Sequence, residues 1–173
     1  MDPARLVFVD ESGANTQMTR WLGRALSGQR LVSCGPHRHY QTSTLISAVC
    51  LKGPRAPWLF DGAMDGEMFL AWVRQGLAPT LRPGDVVILD NLATHKIRGV
   101  RDALEAVGAR LLYLPPYSPD FNPIEPMWSK IKQSLRSHAP RTEEELLRAA
   151  KSAFNSISSA DCKGFFFSAR YAT

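Results

Sequence analysis

The chain begins with a short unbroken apolar run, Leu6-Val7-Phe8-Val9, that ends at Asp10. A strand with one wet face alternates apolar and polar residues, so an unbroken run suits a strand buried on both faces. Val86-Val87-Ile88-Leu89 repeats the pattern and also ends in an acid, Asp90. Thr44 to Leu51 reads as another strand, Pro57 to Phe60 as its extension after a Gly-Pro turn, and Arg110 to Leu114 as the last strand. Residues 16–33 carry weaker strand or hairpin character, punctuated by Gly23 and Gly28.

Helical spacing takes over after Asp65, a suitable N-cap, with Met68, Phe69, Trp72, Val73 and Leu77 in phase. Pro79 and the Arg82-Pro83-Gly84-Asp85 turn end that helix. A second helix is predicted over residues 97–107, with Gly108 placed to close it. The segment Pro115 to Phe121 is too rich in proline for a helix or a central strand. A third helix then starts with Asn122 as N-cap and Pro123 at the first helical position. Ile124, Met127, Trp128, Ile131 and Leu135 form its buried stripe. Thr142-Glu143-Glu144-Glu145 is a capping-box start for a last long helix.

Strands come first and then alternate with helices, which predicts parallel strands joined by crossover helices in the second half. The early strands have no helix between them, so at least one runs antiparallel. The expectation is an α/β domain spanning residues 1–173, a mixed sheet with helices on both faces, without repeat or linker.

Composition narrows the function classes. A chain of 173 residues with 45% hydrophobic and 21% charged residues can fold on one core without staples. The formal charge of +5 permits a polyanionic partner without demonstrating one. Cys34, Cys50 and Cys162 are odd in number and far apart, which supports neither a disulfide framework nor a cysteine zinc site. No apolar run is long enough to span a bilayer and the N-terminus does not resemble a signal peptide, so a cytoplasmic protein is expected.

The chemistry is expected where strands end. In open parallel-rich sheets, sites lie at the carboxyl ends of strands, where Asp10 and Asp90 would converge. Glu125, in the first turn of the helix after the proline loop, would return to the same edge. Two unit charges ~4 Å apart repel by about 4 kcal/mol at an effective dielectric near 20, so such a cluster needs raised pKa values or a bound cation. Oxygen-only donors favour Mg²⁺ or Mn²⁺. Each acid also has a purely structural reading. Asp10 and Asp90 have turn chemistry, and Glu125 stands three residues after Asn122, the capping-box position. Along the third helix Glu125 shares a line with Ser129, Lys132 and Arg136, a basic strip suited to a phosphate backbone or simply a solvated face.

Three segments carry a family resemblance: Phe8-Val9-Asp10-Glu11-Ser12-Gly13, Val86 to His95 with its Asp90-Asn91, and Leu114-Pro115-Pro116-Tyr117-Ser118-Pro119-Asp120-Phe121-Asn122-Pro123-Ile124-Glu125. Together they resemble the catalytic core of bacterial insertion-sequence transposases of the mariner superfamily, the DDE endonucleases. The 34 residues between Asp90 and Glu125 match that family's spacing. The resemblance implies a ribonuclease-H-like fold with a five-stranded mixed sheet. It implies Mg²⁺- or Mn²⁺-dependent strand cleavage by water with two ions per site, followed by attack of the freed 3′-hydroxyl on target DNA. Asp10 would bridge both ions, with Asp90 and Glu125 each holding one.

By the same resemblance Asn91 and His95 stand near the metals, and His95 would either orient a water or touch a phosphate or be an ordinary histidine at a helix start. Glu11 should point away from Asp10 along the strand and is left out of the metal site. Arg30 and Arg38, in a basic patch with His37 and His39, join Lys132 and Arg136 as candidate DNA contacts. The expected partners are double-stranded DNA, at transposon ends and target, and a second copy of the chain on that DNA.

Complete transposases of this kind carry N-terminal helix-turn-helix modules. This chain starts a few residues before the first catalytic strand, so end recognition is expected to come from a separate polypeptide or a frameshifted fusion, or to have been lost. The alternative is a catalytically inactive DNA-binding or regulatory remnant. An aspartyl-phosphate enzyme fits poorly, because position 12 is Ser where that chemistry wants a second acid.

Overall fold

The computed structural model describes residues 2–20, 23–30, 32, 42–116 and 118–171. Five strands form one sheet: β1 Leu6–Asn15, β2 Thr42–Cys50, β3 Gly53–Asp61, β4 Val86–Leu89 and β5 Arg110–Tyr113. Their spatial order is β3-β2-β1-β4-β5. β1 pairs antiparallel with β2, and β2 with β3, whereas β1 and β5 flank β4 in parallel. The sheet is therefore mixed, with its antiparallel part in the first half of the chain.

The unbroken apolar runs are explained by two cores, one on each face. Leu6, Phe8, Leu45, Val49, Val86 and Ile88 pack on one side with α3 (Ile124–His138), α4 (Glu143–Asn155) and α5 (Ser159–Ser168). Val7, Val9, Ile46, Ala48, Val87 and Leu89 pack on the other with α1 (Gly66–Trp72) and α2 (Val100–Glu105). Side chains of a strand alternate between faces, so the parity of a residue decides which helices it meets. Asp10 has the parity of Leu6 and Phe8, on the α3 side, and Glu11 that of Val7 and Val9, on the α1 and α2 side.

Several local expectations change. The described residues between 16 and 32 form turns and irregular backbone, with no strand among them, and Cys34, His37, Arg38 and His39 lie outside the described residues. The first helix keeps its Asp65 cap, whose side chain accepts from the Met68 N–H, but after Trp72 it widens into a π turn over Val73–Leu77. The second helix is shortened to Val100–Glu105, because Ile97 is extended and Gly99, in the left-handed region, is its cap residue; a separate 3-10 turn, Ala93–Lys96, precedes it. Helix α3 begins at Ile124 with Pro123 as its cap residue, one position later than the sequence signals place it. The expected last long helix is two. Thr142 and Glu145 form the predicted capping box of α4, and Ser158 with Asp161 forms a second box that opens α5. An Asp in the third position does the work expected of Glu or Gln, which is why that start went unread.

Strand lengths position the site. β1 runs for ten residues, whereas β4 has four and pairs with β1 only from Leu6–Val86 to Phe8–Ile88. Two residues further along each strand, Asp10 and Asp90 stand level. There β4 turns away while β1 continues against β2, with Asp10 opposite Ser47.

Candidate active site

The place where β4 leaves β1 is a cavity of about 390 Å³. Asp10, Asp90 and Glu125 all line it, with Asn91 and Leu92 from the turn after β4. Leu114, Pro115, Pro116, Ser118, Pro119 and Asn122 complete the lining. The sheet supplies two acids at one level and α3 supplies the third from its first turn. Helix α3 is held in place by its apolar stripe, since Ile124, Met127, Trp128, Ile131 and Leu135 are each at most 3% exposed. Asn122, itself buried, accepts from the Ile124 N–H and steadies the start of the helix that carries Glu125.

Asp10 is the electrostatic focus. Burial, with the charges of Glu11, Glu125 and Asp90, pushes its pKa up to about 7, against the opposing backbone hydrogen bond at Glu11. Its Oδ2 accepts a hydrogen bond of 3.2 Å from the Trp128 indole N–H. Trp128 was legible only as a core residue, because the sequence shows the stripe but not which polar atom the indole edge meets.

Asp90 is treated differently by its surroundings. Burial raises its pKa, but the hydrogen bonds from the His95 ring and the Leu92 N–H, with the charges of His95 and Lys96, hold it below the usual carboxylate range. His95 Nδ1 lies 2.6 Å from Asp90 Oδ1 and Nε2 lies 2.9 Å from Glu11 Oε2. Burial disfavours the charged ring, yet these hydrogen bonds and the two negative charges outweigh it and push the His95 pKa up to about 9. The ring also stacks on Phe69, with centroids 4.4 Å apart.

Of the two readings open for His95, these contacts favour the structural one. Its side chain is 0% exposed and both ring nitrogens are engaged by carboxylates, so it reaches neither a phosphate nor a water in the cavity. Glu11 does point away from Asp10, as expected, but on that face it meets His95. Asn91 is exposed and lines the cavity. Lys132 and Arg136 lie along α3 beyond Glu125, with Lys132 half-buried and Arg136 exposed, and neither lines the cavity. Arg30 is exposed in irregular backbone and does not line the cavity.

The donor chemistry fits a hard divalent cation. Carboxylates from three elements line one cavity, and burial, reinforced by the neighbouring negative charges, raises the pKa of the most buried of them to about 7. Among the described residues no three acidic, histidine or cysteine side chains are already gathered at ligand distance.

Residues 5–147 match the family described as DDE superfamily endonuclease. No curated protein matches the chain. Among solved structures, the fold is similar to a pre-cleavage Mos1 transpososome, at 16% identity and a TM-score of 0.75 over 97% of this chain and 54% of that one. The Mos1 mariner paired-end complex with Mn is similar at 18% identity and TM-score 0.75, over 97% and 54%. The catalytic domain of Mos1 mariner transposase is similar at 16% identity and TM-score 0.68, over 97% and 78%. The chain thus spans about half the length of the Mos1 chains in those assemblies. At this identity the likeness concerns the fold, which is the expected ribonuclease-H-like arrangement of a mixed five-stranded sheet between helices. With most of its length inside the matched region, the chain belongs to the DDE superfamily endonuclease family.

Proposed function

We propose that this chain is the catalytic domain of a DNA transposase, cleaving DNA strands and joining the freed 3′-hydroxyl to target DNA with the help of two Mg²⁺ or Mn²⁺ ions. The observation that carries the reading is the shared cavity of Asp10, Asp90 and Glu125, three carboxylates from distant parts of the chain around one small volume. Bound there, the ions would polarise the phosphodiester and stabilise its attacking and leaving oxygens. Asp10, central and level with Asp90, would hold both ions, and Asp90 and Glu125 one each.

The protein's own residues do the rest. Asp90 is kept ionised by His95 and the Leu92 N–H, so it offers a charged oxygen without first losing a proton. Asp10 gives up its proton when positive charge arrives. Leu114, Pro115, Pro116, Ser118 and Pro119 line the cavity beside the acids and would restrict water there. Lys132 and Arg136 extend from the acids along α3 as contacts for the phosphate backbone, and Arg30 and Arg38 are proposed as further ones. Double-stranded DNA is the proposed substrate, as in the Mos1 paired-end complex with a left transposon end. Assembly as a homodimer on that DNA, with a separate helix-turn-helix polypeptide for end recognition, belongs to the same proposal.

Supercoiled plasmid nicking with Mg²⁺ or Mn²⁺ tests it. The wild type should nick, and Asp10→Ala, Asp90→Ala and Glu125→Ala should each lose activity by at least about a thousandfold, roughly 4 kcal/mol of transition-state stabilisation. Equal rates in all four proteins would remove the assignment. Metal-independent DNA binding without any cleavage would favour the inactive remnant instead.

A further inference from the structure

Asp90 is held by more than its own backbone. Its Oδ1 accepts from the Leu92 N–H at 3.1 Å and faces His95 Nδ1 at 2.6 Å. Both hydrogen bonds that it makes to described residues therefore fall on one oxygen, and the lone pairs of Oδ2 remain for a ligand. The other end of the imidazole, Nε2, reaches Glu11 Oε2 at 2.9 Å. Glu11 belongs to β1 and Asp90 follows β4, so the ring spans the two strands at the point where their backbone pairing has ended.

The ring itself cannot easily turn. Phe69 of α1 lies against its face, and the Tyr113 hydroxyl of β5 donates to the His95 carbonyl at 3.2 Å. Its side chain is fully buried. A histidine in the cavity would be a candidate acid or base, whereas one sealed beneath it can act only through the carboxylates it touches.

We propose that the Glu11–His95 pair is a positioning device. It ties Asp90 to β1 and fixes the carboxylate rotamer, so that Oδ2 is presented to the cation at a set distance from Asp10. This rests on the metal-dependent reading above and adds Glu11, which lies on the far face of the strand from the cavity. An orienting group of this kind sets ligand geometry, and its loss typically costs about 10–100-fold in metal affinity. The expected signature is a change in metal requirement with the chemistry intact once metal is saturating.

Full-length His95→Gln and Glu11→Gln are compared with wild type and Asp90→Ala. The amide nitrogen of Gln stands near the former Nε2, so His95→Gln keeps a link to Glu11 and loses the one to Asp90. Binding of Mn²⁺ alone is read from the electron paramagnetic resonance of the free ion, and nicking is then titrated with Mn²⁺. His95→Gln should bind Mn²⁺ about 10–100-fold more weakly, with a nicking rate at saturating metal within about threefold of wild type. Glu11→Gln should weaken binding by a smaller factor, about three- to tenfold, because the ring keeps Asp90 but loses its anchor.

Wild-type Mn²⁺ affinity in both variants, alongside lost binding in Asp90→Ala, would overturn the device and leave the metal site standing. A lowered maximal rate with unchanged Mn²⁺ affinity would overturn it too, as that is the mark of general structural damage. No Mn²⁺ binding by wild type, with Asp90→Ala nicking normally, would remove the parent reading and this one together. Should His95→Gln not fold, Glu11→Gln decides alone.

Discussion

Strand β4 has an aspartate at each end, and the two are handled in opposite ways. Asp85, just before Val86, is 5% exposed, and its Oδ2 accepts from Arg55 at 3.0 Å and from the Arg82 N–H at 3.1 Å. One negative charge meets one positive charge and the account closes. Just after Leu89, Asp90 shares its surroundings with Asp10, Glu11 and Glu125, and His95 is in contact with Asp90 and Glu11 alone, so acid outnumbers base. A buried charge with a matched partner serves the fold, whereas an unbalanced cluster at a cavity is costly to keep and is characteristic of a working site.

The sharpest way to break this contrast is to remove charge from the unbalanced end and follow stability with pH. The Asp10 pKa is raised from 3.8 to about 7, so between those values the folded chain holds a proton that the unfolded chain has released. Stability without metal should therefore fall as pH rises from about 4 to about 7, by on the order of 4 kcal/mol. Asp10→Asn, neutral throughout, should flatten that slope in urea titrations and be more stable than wild type at neutral pH. His95, raised from 6.5 to about 9, adds stability that is fully present below about 6.5 and fades as pH rises through 9. That upper slope should survive in Asp10→Asn. A wild type whose stability is flat from pH 4 to 7 would show that burial and neighbouring charge do not raise the Asp10 pKa.

The balanced end should respond in the other sense. Arg55→Met leaves Asp85 buried without its cation and should cost about 2 kcal/mol, below the range for a fully buried pair because Arg55 is partly exposed. Nicking by the folded fraction should be unchanged. A large loss of activity at full folding would mean that the two ends of β4 are not independent. The smallest effect is expected from Trp128→Phe, which keeps most of the packing and removes the N–H that reaches Asp10. We expect roughly 1 kcal/mol, seen as about a fivefold higher Mn²⁺ requirement for nicking. A reduced rate at saturating metal without that shift would assign Trp128 to packing alone.

The parts legible in the sequence are those set by short-range rules. Unbroken apolar runs announced β1 and β4, caps announced α1 and α4, and the acids ending two such runs announced the cavity. Helix α5 was missed because its capping box uses Asp161, and the second helix was drawn too long because Ile97 is extended and Gly99, left-handed, caps a helix that starts only at Val100. The buried contacts were invisible for a different reason. Glu11 meets His95 across 84 residues and Trp128 meets Asp10 across 118, and no local pattern encodes such pairs. Strand parity could place Glu11 on the far face, but only the three-dimensional structure reveals what waits there.

The unequal lengths of β1 and β4 have a consequence for anyone engineering this domain. Extending the shorter strand by two ladder rungs would satisfy more backbone amides and make a tidier sheet, the sort of change that ordinarily improves a protein. Here it would zip shut the notch into which the two aspartates open, trading accessibility for rigidity. Thermostabilising designs should reinforce the outer antiparallel strands and leave that step in the sheet alone.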